Sequence, residues 1–119
     1  MQYLCLIYDD EKLIDAMPEA ERGAFFGAYM QFTADIKTSG HLRGGDALQP
    51  VSTATTVRVR DGKLTTTDGP FAETREQLGG YYRVWAKDLD EAIAFAARIP
   101  SAEIGTVEVR PVMNTDAYA

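Results

Sequence analysis

Among the ionisable side chains in this sequence, we take three as candidates for exchanging protons with a small molecule: Asp68, Glu73 and His41. We take Asp68 as the candidate catalytic acid or base, with Glu73 or His41 as its partner, because acid/base catalysis places ionisable groups within hydrogen-bond reach of the substrate. Such a pair would support a lyase or hydrolase step on a small organic acid. Each residue also has a structural interpretation. Asp68 would cap a turn, Glu73 would lie on a solvated face or in a dimer contact, and His41 would lie at the surface.

A second group of residues has the types expected of a ligand-binding cleft. Arg83 and Arg110 fall on predicted strands, and they would hold an anion such as a carboxylate if they share a sheet face with Glu108. The alternative is a set of cross-strand ion pairs with Glu108 and nearby acids. The other candidates are loop residues and the amide and aromatic side chains that follow them: Gly69, Pro70, Phe71, Gln77 and Tyr82.

The sequence predicts neither a metal nor a cofactor. His41 is the single histidine and Cys5 the single cysteine, and no pairing of His with carboxylates recurs on one helical face. The glycine pairs at 44–45 and 79–80 lack the Lys and Ser that follow in a phosphate-binding loop. Cys5 lies in an apolar run, where a thiol usually behaves as a small hydrophobic group and not as a nucleophile.

Charge and length limit the classes of function. The chain has 119 residues, with 12 Lys plus Arg against 18 Asp plus Glu, for a net charge of −6. Proteins that grip phosphates need a basic surface, so direct binding of nucleic acid is not expected. The length fits one domain over residues 1–119. The apolar run near the start is too short for a membrane span or a secretory signal, so we expect a cytoplasmic protein with no membrane contact.

Hydrophobic periodicity predicts the elements that must position these residues. The apolar run over residues 2–8 predicts a strand buried on both faces. Apolar residues spaced by three and four predict an amphipathic helix over about residues 18–39. Asp61-Gly62 lies between two β-prone runs, at 54–60 and 63–67, and therefore predicts a hairpin with a type I′ turn.

The rest of the chain predicts a strand over 81–86, a helix over about 89–99 and a strand over 106–112. The resulting order is a ferredoxin-like α+β fold, with two helices on one face of an antiparallel sheet and an extra hairpin strand. Helices on one face leave the opposite face bare, and a bare apolar face marks an interaction surface. We therefore predict a homodimer made by sheet-to-sheet packing.

One dense stretch of the sequence closely resembles the DGPF motif of the YCII-related family. It reads Thr67-Asp68-Gly69-Pro70-Phe71-Ala72-Glu73 and continues through Gln77-Leu78-Gly79-Gly80 into Tyr81-Tyr82. The flanking strands are similar to that branch too, so the likeness covers most of the chain. The resemblance implies a ferredoxin-like fold assembled as a dimeric α+β barrel. It also makes Asp68 the match for the family's proposed acidic site residue, with Gly69, Pro70 and Phe71 shaping the loop.

Two hypotheses about function follow. Members of the family are largely uncharacterised, and some branches are proposed to be small-molecule enzymes that use a His and Asp pair. The first hypothesis is therefore a small dimeric protein that binds a small polar or anionic molecule in a cleft near the DGPF loop, with acid/base catalysis there. The DGPF branch is often found beside alternative sigma factors. The alternative is thus a non-catalytic regulatory or interaction protein, linked to transcription through protein contacts.

Overall fold

The computed structural model describes residues 1–116, and the elements below are those of this part of the chain. Six strands and three α-helices follow one another in the order β1 (Gln2–Asp9), α1 (Glu11–Asp15), α2 (Glu19–Thr38), β2 (Leu42–Ala47), β3 (Thr55–Arg60), β4 (Lys63–Asp68), β5 (Gln77–Trp85), α3 (Leu89–Ala97) and β6 (Thr106–Pro111). Short 3₁₀ turns at Val51–Thr53 and Pro100–Ala102 lie between them. The sequence pattern did not predict the short helix α1, and it indicated only a loop or an irregular edge strand where β2 lies.

Four strands form an antiparallel sheet in the order β2-β5-β1-β6, and β3 and β4 form a separate two-stranded sheet. Residues of α2 and α3 share one buried cluster with Tyr3, Cys5 and Ile7 of β1, so both helices cover the same face. The predicted ferredoxin-like α+β fold is confirmed. A single domain over 1–119 stays a prediction, because residues 117–119 lie outside the described part.

Helix α2 begins and ends where the sequence predicts. Glu19 and Glu21 lie in its first turn, where the helix dipole favours negative charge, and Gly40 follows its end with a φ of 81°. Its C-terminal half packs on the sheet through Phe32 and Ile36, which are buried. Its N-terminal half packs less closely on the sheet, where the aromatic side chains Phe25 and Tyr29 are only half-buried. This difference leaves a hollow between α2 and the sheet.

Strand β1 is buried on one face in the single chain, whereas the sequence predicted burial on both. Tyr3, Cys5 and Ile7 are buried, and Leu4 and Leu6 between them remain half-exposed on the side without helices. Alternate side chains of a strand point to opposite faces, so the helices reach only the odd-numbered set. We call the side that carries Leu4 and Leu6 the open sheet face.

The hairpin of β3 and β4 forms as predicted. Asp61 and Gly62 have φ values of 52° and 73°, the pair of positive angles that a type I′ turn needs. Helix α3 also begins as predicted, because Asp88 accepts a hydrogen bond from the Glu91 amide at 2.9 Å. In the described part of the chain, no helix has both the length and the apolar character needed to cross a bilayer.

Candidate functional site

A cavity of about 790 Å³ lies between the N-terminal half of α2 and the β1–β5–β2 part of the sheet. This volume is within the range of roughly 300 to 1,000 Å³ that is usual for small-molecule sites. Most of its wall is apolar and aromatic. The side chains that matter most for the chemistry below are those of Ile7, Asp9, Phe25, Tyr29, Met30 and Tyr82.

The floor of the cavity depends on close packing between β2 and β5. The ring of Tyr82 packs edge-on against Phe32, with centroids 5.2 Å apart, and its hydroxyl lies 2.6 Å from Thr33 Oγ1. A Cβ at Gly45 would lie 2.7 Å from the carbonyl oxygen of Tyr81. A side chain at Gly45 would therefore separate the two strands under the cavity, which explains why glycine occupies this position.

Asp9 is the acidic group with the most perturbed surroundings in the cavity wall. It ends β1, and its Oδ2 accepts a hydrogen bond of 2.8 Å from Ser101 Oγ. Its Oδ1 is buried and has no hydrogen-bond partner within residues 1–116. Burial raises the pKa of Asp9; the hydrogen bond from Ser101 lowers that pKa, and the nearby charge of Glu76 raises it. The result is a carboxyl group with a stronger hold on its proton than an exposed aspartate has.

Tyr29 completes a chain of three polar groups at this point. Its hydroxyl is hydrogen-bonded to Ser101 Oγ. Ser101 is fully buried, and its own hydroxyl donates a hydrogen bond to Asp9. The Tyr29 hydroxyl is therefore the donor to Ser101. Burial raises the pKa of Tyr29 to about 12, so it remains protonated near neutral pH. Tyr29 and Asp9 both line the cavity, while Ser101 lies behind them.

Gly105 makes room for this carboxylate. A Cβ there would lie 2.8 Å from Asp9 Oδ1 and would overlap the carbonyl oxygen of Tyr8. The backbone before β6 can therefore lie against Asp9 only because residue 105 has no side chain. Asp9, Ser101 and Gly105 are thus brought together from both ends of the sequence.

Two of the ten site residues predicted from the sequence line the cavity: Gln77 and Tyr82. The Gln77 side chain accepts a hydrogen bond from the Glu11 amide at 3.0 Å and donates one to the Thr74 carbonyl at 2.6 Å. It therefore ties the end of the motif loop to the start of α1. The motif contributes to the cavity by holding this wall in place.

The rest of the motif lies outside the cavity wall. Asp68 ends β4 at the base of the hairpin and is exposed, as are Pro70 and Glu73, while Gly69 is half-buried. Phe71 has 80% of its side chain exposed. Within residues 1–116, the Asp68 side chain makes neither a hydrogen bond nor an ion pair. The catalytic roles of Asp68 and Glu73, and the ligand contacts of Gly69, Pro70 and Phe71, stay predictions.

The remaining predicted residues lie in two other places. His41 follows α2, where its Nδ1 lies 2.8 Å from Ser39 Oγ and its Nε2 lies 3.8 Å from Glu91 Oε1. Arg83 and Arg110 are both paired with Leu4 in the strand register, which puts them together on the open sheet face, the condition that the sequence analysis set for an anion site. The catalytic role of His41 and the ligand contacts of the two arginines also stay predictions.

Asp9, Tyr29 and Ser101 were not found from the sequence. The one local signal was an acidic residue that ends an apolar strand, and Asp9 shares that pattern with any strand end. Among residues 1–116, no three His, Cys, Asp or Glu side chains lie close enough together to hold a metal ion.

Comparison with known proteins adds a family and a fold. The family model described as the YCII-related domain matches residues 1–116. An uncharacterized protein of Rhizobium meliloti is 35% identical over 114 residues, which cover 94% of this chain and 92% of that protein. A solved structure of 5-chloro-2-hydroxyhydroquinone dehydrochlorinase from Burkholderia phenoliruptrix, in complex with 2,5-dihydroxybenzoquinone, matches with a TM-score of 0.56. That match covers 95% of this chain and 94% of the other, at 14% identity, so it shows a shared fold alone.

Proposed function

The chain belongs to the YCII-related family, and on that premise we propose that its cavity binds a small hydroxylated ring compound whose hydroxyl proton is exchanged with Asp9. One observation carries the proposal: a half-buried carboxyl group, linked through Ser101 to Tyr29, faces a cavity of ligand size. Assignment to the DGPF branch within the family stays a prediction.

The shape and polarity of the wall favour a flat, mostly apolar body. Phe25, Tyr29 and Tyr82 offer ring faces and edges, and Met30 adds a flexible apolar side chain at the rim. The polar groups of Asp9 and Tyr29 lie together, so they would orient a ligand that has a hydroxyl at one end. A hydroxylated aromatic ring meets both requirements.

The charges of the wall favour a neutral ligand. Four acids line the cavity, at Asp9, Glu11, Asp15 and Asp46, whereas Lys37 is the one cation among the lining residues, all of which lie within the described chain. An anion would be repelled by this set unless one of the acids were protonated. The sequence predicted a small polar or anionic ligand, and our proposal takes the polar, uncharged end of that range.

The proposed step is a proton transfer. The O–H bond of the ligand breaks, its proton moves to Asp9, and the negative charge stays on the ligand oxygen, which then accepts a hydrogen bond from the new Asp9 O–H. Before the transfer, the Tyr29 oxygen, whose proton is donated to Ser101, is an acceptor for the ligand hydroxyl. A raised pKa makes the Asp9 carboxylate a better base near neutral pH than an exposed aspartate would be. Ser101 holds the side chains of Asp9 and Tyr29 in position relative to each other, so we assign it a positioning role. The dehydrochlorinase with the same fold is named for a hydroxylated ring substrate, which supports this ligand class.

The experiment that tests the proposal measures binding of hydroxyhydroquinone, kept under argon, by calorimetry. We expect Asp9→Asn and Tyr29→Phe to weaken binding at least tenfold, because each removes a group that meets the ligand hydroxyl. Asp68→Asn is the matched control, since it makes the same chemical change outside the cavity. Benzoate, an anion of similar size, should bind at least tenfold more weakly than the neutral probe.

Three results would contradict the proposal. Equal loss in Asp9→Asn and Asp68→Asn would remove the special role of Asp9. Loss in Asp68→Asn alone would support the sequence prediction of a site at the DGPF loop, with Glu73 or His41 as partner. Tighter binding of benzoate would favour the anionic ligand and the predicted anchors Arg83 and Arg110.

We also propose that the protein is a homodimer whose open sheet faces pack together as a dimeric α+β barrel. Leu4, Leu6 and Tyr8 are half-exposed there, and 40% of Trp85 is exposed. A second copy would remove this apolar surface from water. Light scattering of the intact chain should then give twice the protomer mass of 13.1 kDa. The cytoplasmic location and the regulatory alternative stay predictions.

A further inference from the structure

The hairpin of β3 and β4 stands away from the rest of the molecule. Its residues are exposed along both strands, apart from Thr56, which is half-buried. The radius of gyration is 16.5 Å, whereas a compact chain of this length has about 13.5 Å. A two-stranded hairpin is only marginally stable by itself in water, so this arm needs a surface to pack on.

The two faces of the hairpin differ in character. The register pairs Val57 with Thr66 and Val59 with Leu64, which puts Val57, Val59 and Leu64 on one face. Leu64 alone has 67% of its side chain exposed. We call this side the apolar face of the hairpin. The opposite face carries Thr side chains and three basic residues: Arg58, Arg60 and Lys63.

Asp68 lies at the base of the apolar face. Thr55 and Asp68 are paired, and Asp68 follows Leu64 by four positions, so the alternation of β4 puts both on the same side. Any surface that covers Leu64 and its neighbours would therefore also bring a partner to this exposed carboxylate. A suitable partner is apolar with a cation beside it.

The open sheet face has that composition. Leu4 lies between Arg83 and Arg110 in the register, and Leu6 and Tyr8 continue the apolar row along β1. Both arginines are exposed. The two cations lie beside Leu4, and the acid Glu108, paired with Leu6, lies further along the same face. The end of the hairpin face that carries Asp68 therefore matches in charge the end of the sheet face that carries Leu4 and the two arginines.

We propose that the apolar face of the hairpin packs beside the sheet-to-sheet contact, over the end of the second copy's open sheet face that carries Leu4, where Asp68 pairs with Arg83 or Arg110. This inference rests on the homodimer proposed above. It gives the DGPF loop a role in assembly, at a distance from the cavity. Charge supports the choice of a second copy: the hairpin carries three basic and two acidic residues, and the rest of the chain nine basic and sixteen acidic ones. These basic residues lie on the face opposite the proposed contact, so they attract the acidic body of the second copy only at long range.

The first test compares two neighbouring residues on opposite faces of β4. Leu64→Asp should raise the dimer dissociation constant, measured by sedimentation equilibrium, at least tenfold, because it puts a charge in the proposed contact. Thr65→Asp adds the same charge on the other face and should change that constant less than threefold. Both positions are exposed in the single chain, and far-UV circular dichroism checks that each variant folds.

The second test reverses the proposed ion pair. Asp68→Arg should weaken the dimer at least tenfold, and adding Arg83→Asp or Arg110→Asp should restore it. Failure of both second changes to restore the dimer would overturn the pairing. A dimer that tolerates Leu64→Asp would overturn the arm contact while leaving the homodimer in place. A monomeric natural chain would overturn both, and the calorimetric test of the cavity would be unaffected.

Discussion

The sharpest test of the cavity chemistry is the pH dependence of stability in Asp9→Asn. Burial, the largest influence, raises the pKa of Asp9 above its value of about 3.9 in an unfolded chain. Below that value the carboxyl is protonated in both states. As the pH rises through the raised pKa, the folded protein must ionise a buried group, so the natural protein loses free energy of unfolding. Asparagine does not titrate and escapes this loss.

The size of the effect follows from the hydrogen bonds of Asp9. In the natural protein, Ser101 Oγ donates to Asp9 Oδ2 over 2.8 Å. In the variant, the amide oxygen can accept the same hydrogen bond. The amide nitrogen then takes the place of Oδ1, which has no partner in the described structure. A buried donor without an acceptor costs about 1–3 kcal/mol. At acid pH the protonated carboxyl of the natural protein also has a donor without an acceptor, so part of this cost is common to both proteins. The variant should therefore be less stable than the natural protein by at most about 1–3 kcal/mol at acid pH, and the gap should shrink toward neutral pH.

Urea unfolding at about pH 3.5, 5 and 7 measures this difference, at one protein concentration throughout because dimers gain stability with concentration. Trp85, the single tryptophan, reports unfolding by its fluorescence. Glu76→Gln is the control, because the charge of Glu76 contributes to the raised pKa of Asp9. In that background the gap should change less with pH. A gap that stays constant or widens from acid to neutral pH would refute a raised pKa at Asp9.

Two further predictions concern the residues around this site. Gly105→Ala should destabilise the protein by about 2–4 kcal/mol in urea unfolding, because its Cβ would meet Asp9 Oδ1 and the Tyr8 carbonyl. Gly23→Ala, in the N-terminal half of α2 where a Cβ meets no neighbour, should stabilise the protein by about 0.5–1 kcal/mol. The reverse order would contradict the packing described here. Burial raises the pKa of Cys5 to about 11, so Ellman's reagent at about pH 8 should label this thiol only as fast as the chain opens; immediate labelling would show an accessible thiol.

The fold was predictable because its signals are local. The spacing of Phe25, Phe32 and Ile36 has the period of a helix, and Asp61-Gly62 demands positive φ at two adjacent residues, so nearby residues alone identify α2 and the hairpin. Helix α1 was missed because five residues are too few to show a period. The protruding position of the hairpin was also missed. The residues of the turn determine that the two strands pair, but they do not determine how the hairpin packs on the rest of the chain.

The site was not predictable because its parts are far apart in the sequence. Asp9 and Ser101 are separated by 92 positions and meet only after β1 and the turn before β6 come together. No pattern in a short stretch of the sequence shows that these two residues come together. Conversely, the motif around Asp68 is dense and distinctive, and a distinctive loop invites a catalytic interpretation although assembly can demand unusual residues just as strictly.

Strand β1 explains why the two proposals can be tested separately. Tyr3, Cys5 and Ile7 face the helices, and Asp9 ends this row at the cavity, whereas Leu6 and its even-numbered neighbours face the open side. The sheet itself therefore stands between the proposed ligand and the proposed second copy. The cavity wall is built from one chain, so ligand binding should survive Leu64→Asp. If binding were lost together with the dimer, a residue of the second copy would have to complete the wall, and the step assigned to Asp9 would belong to the pair of chains.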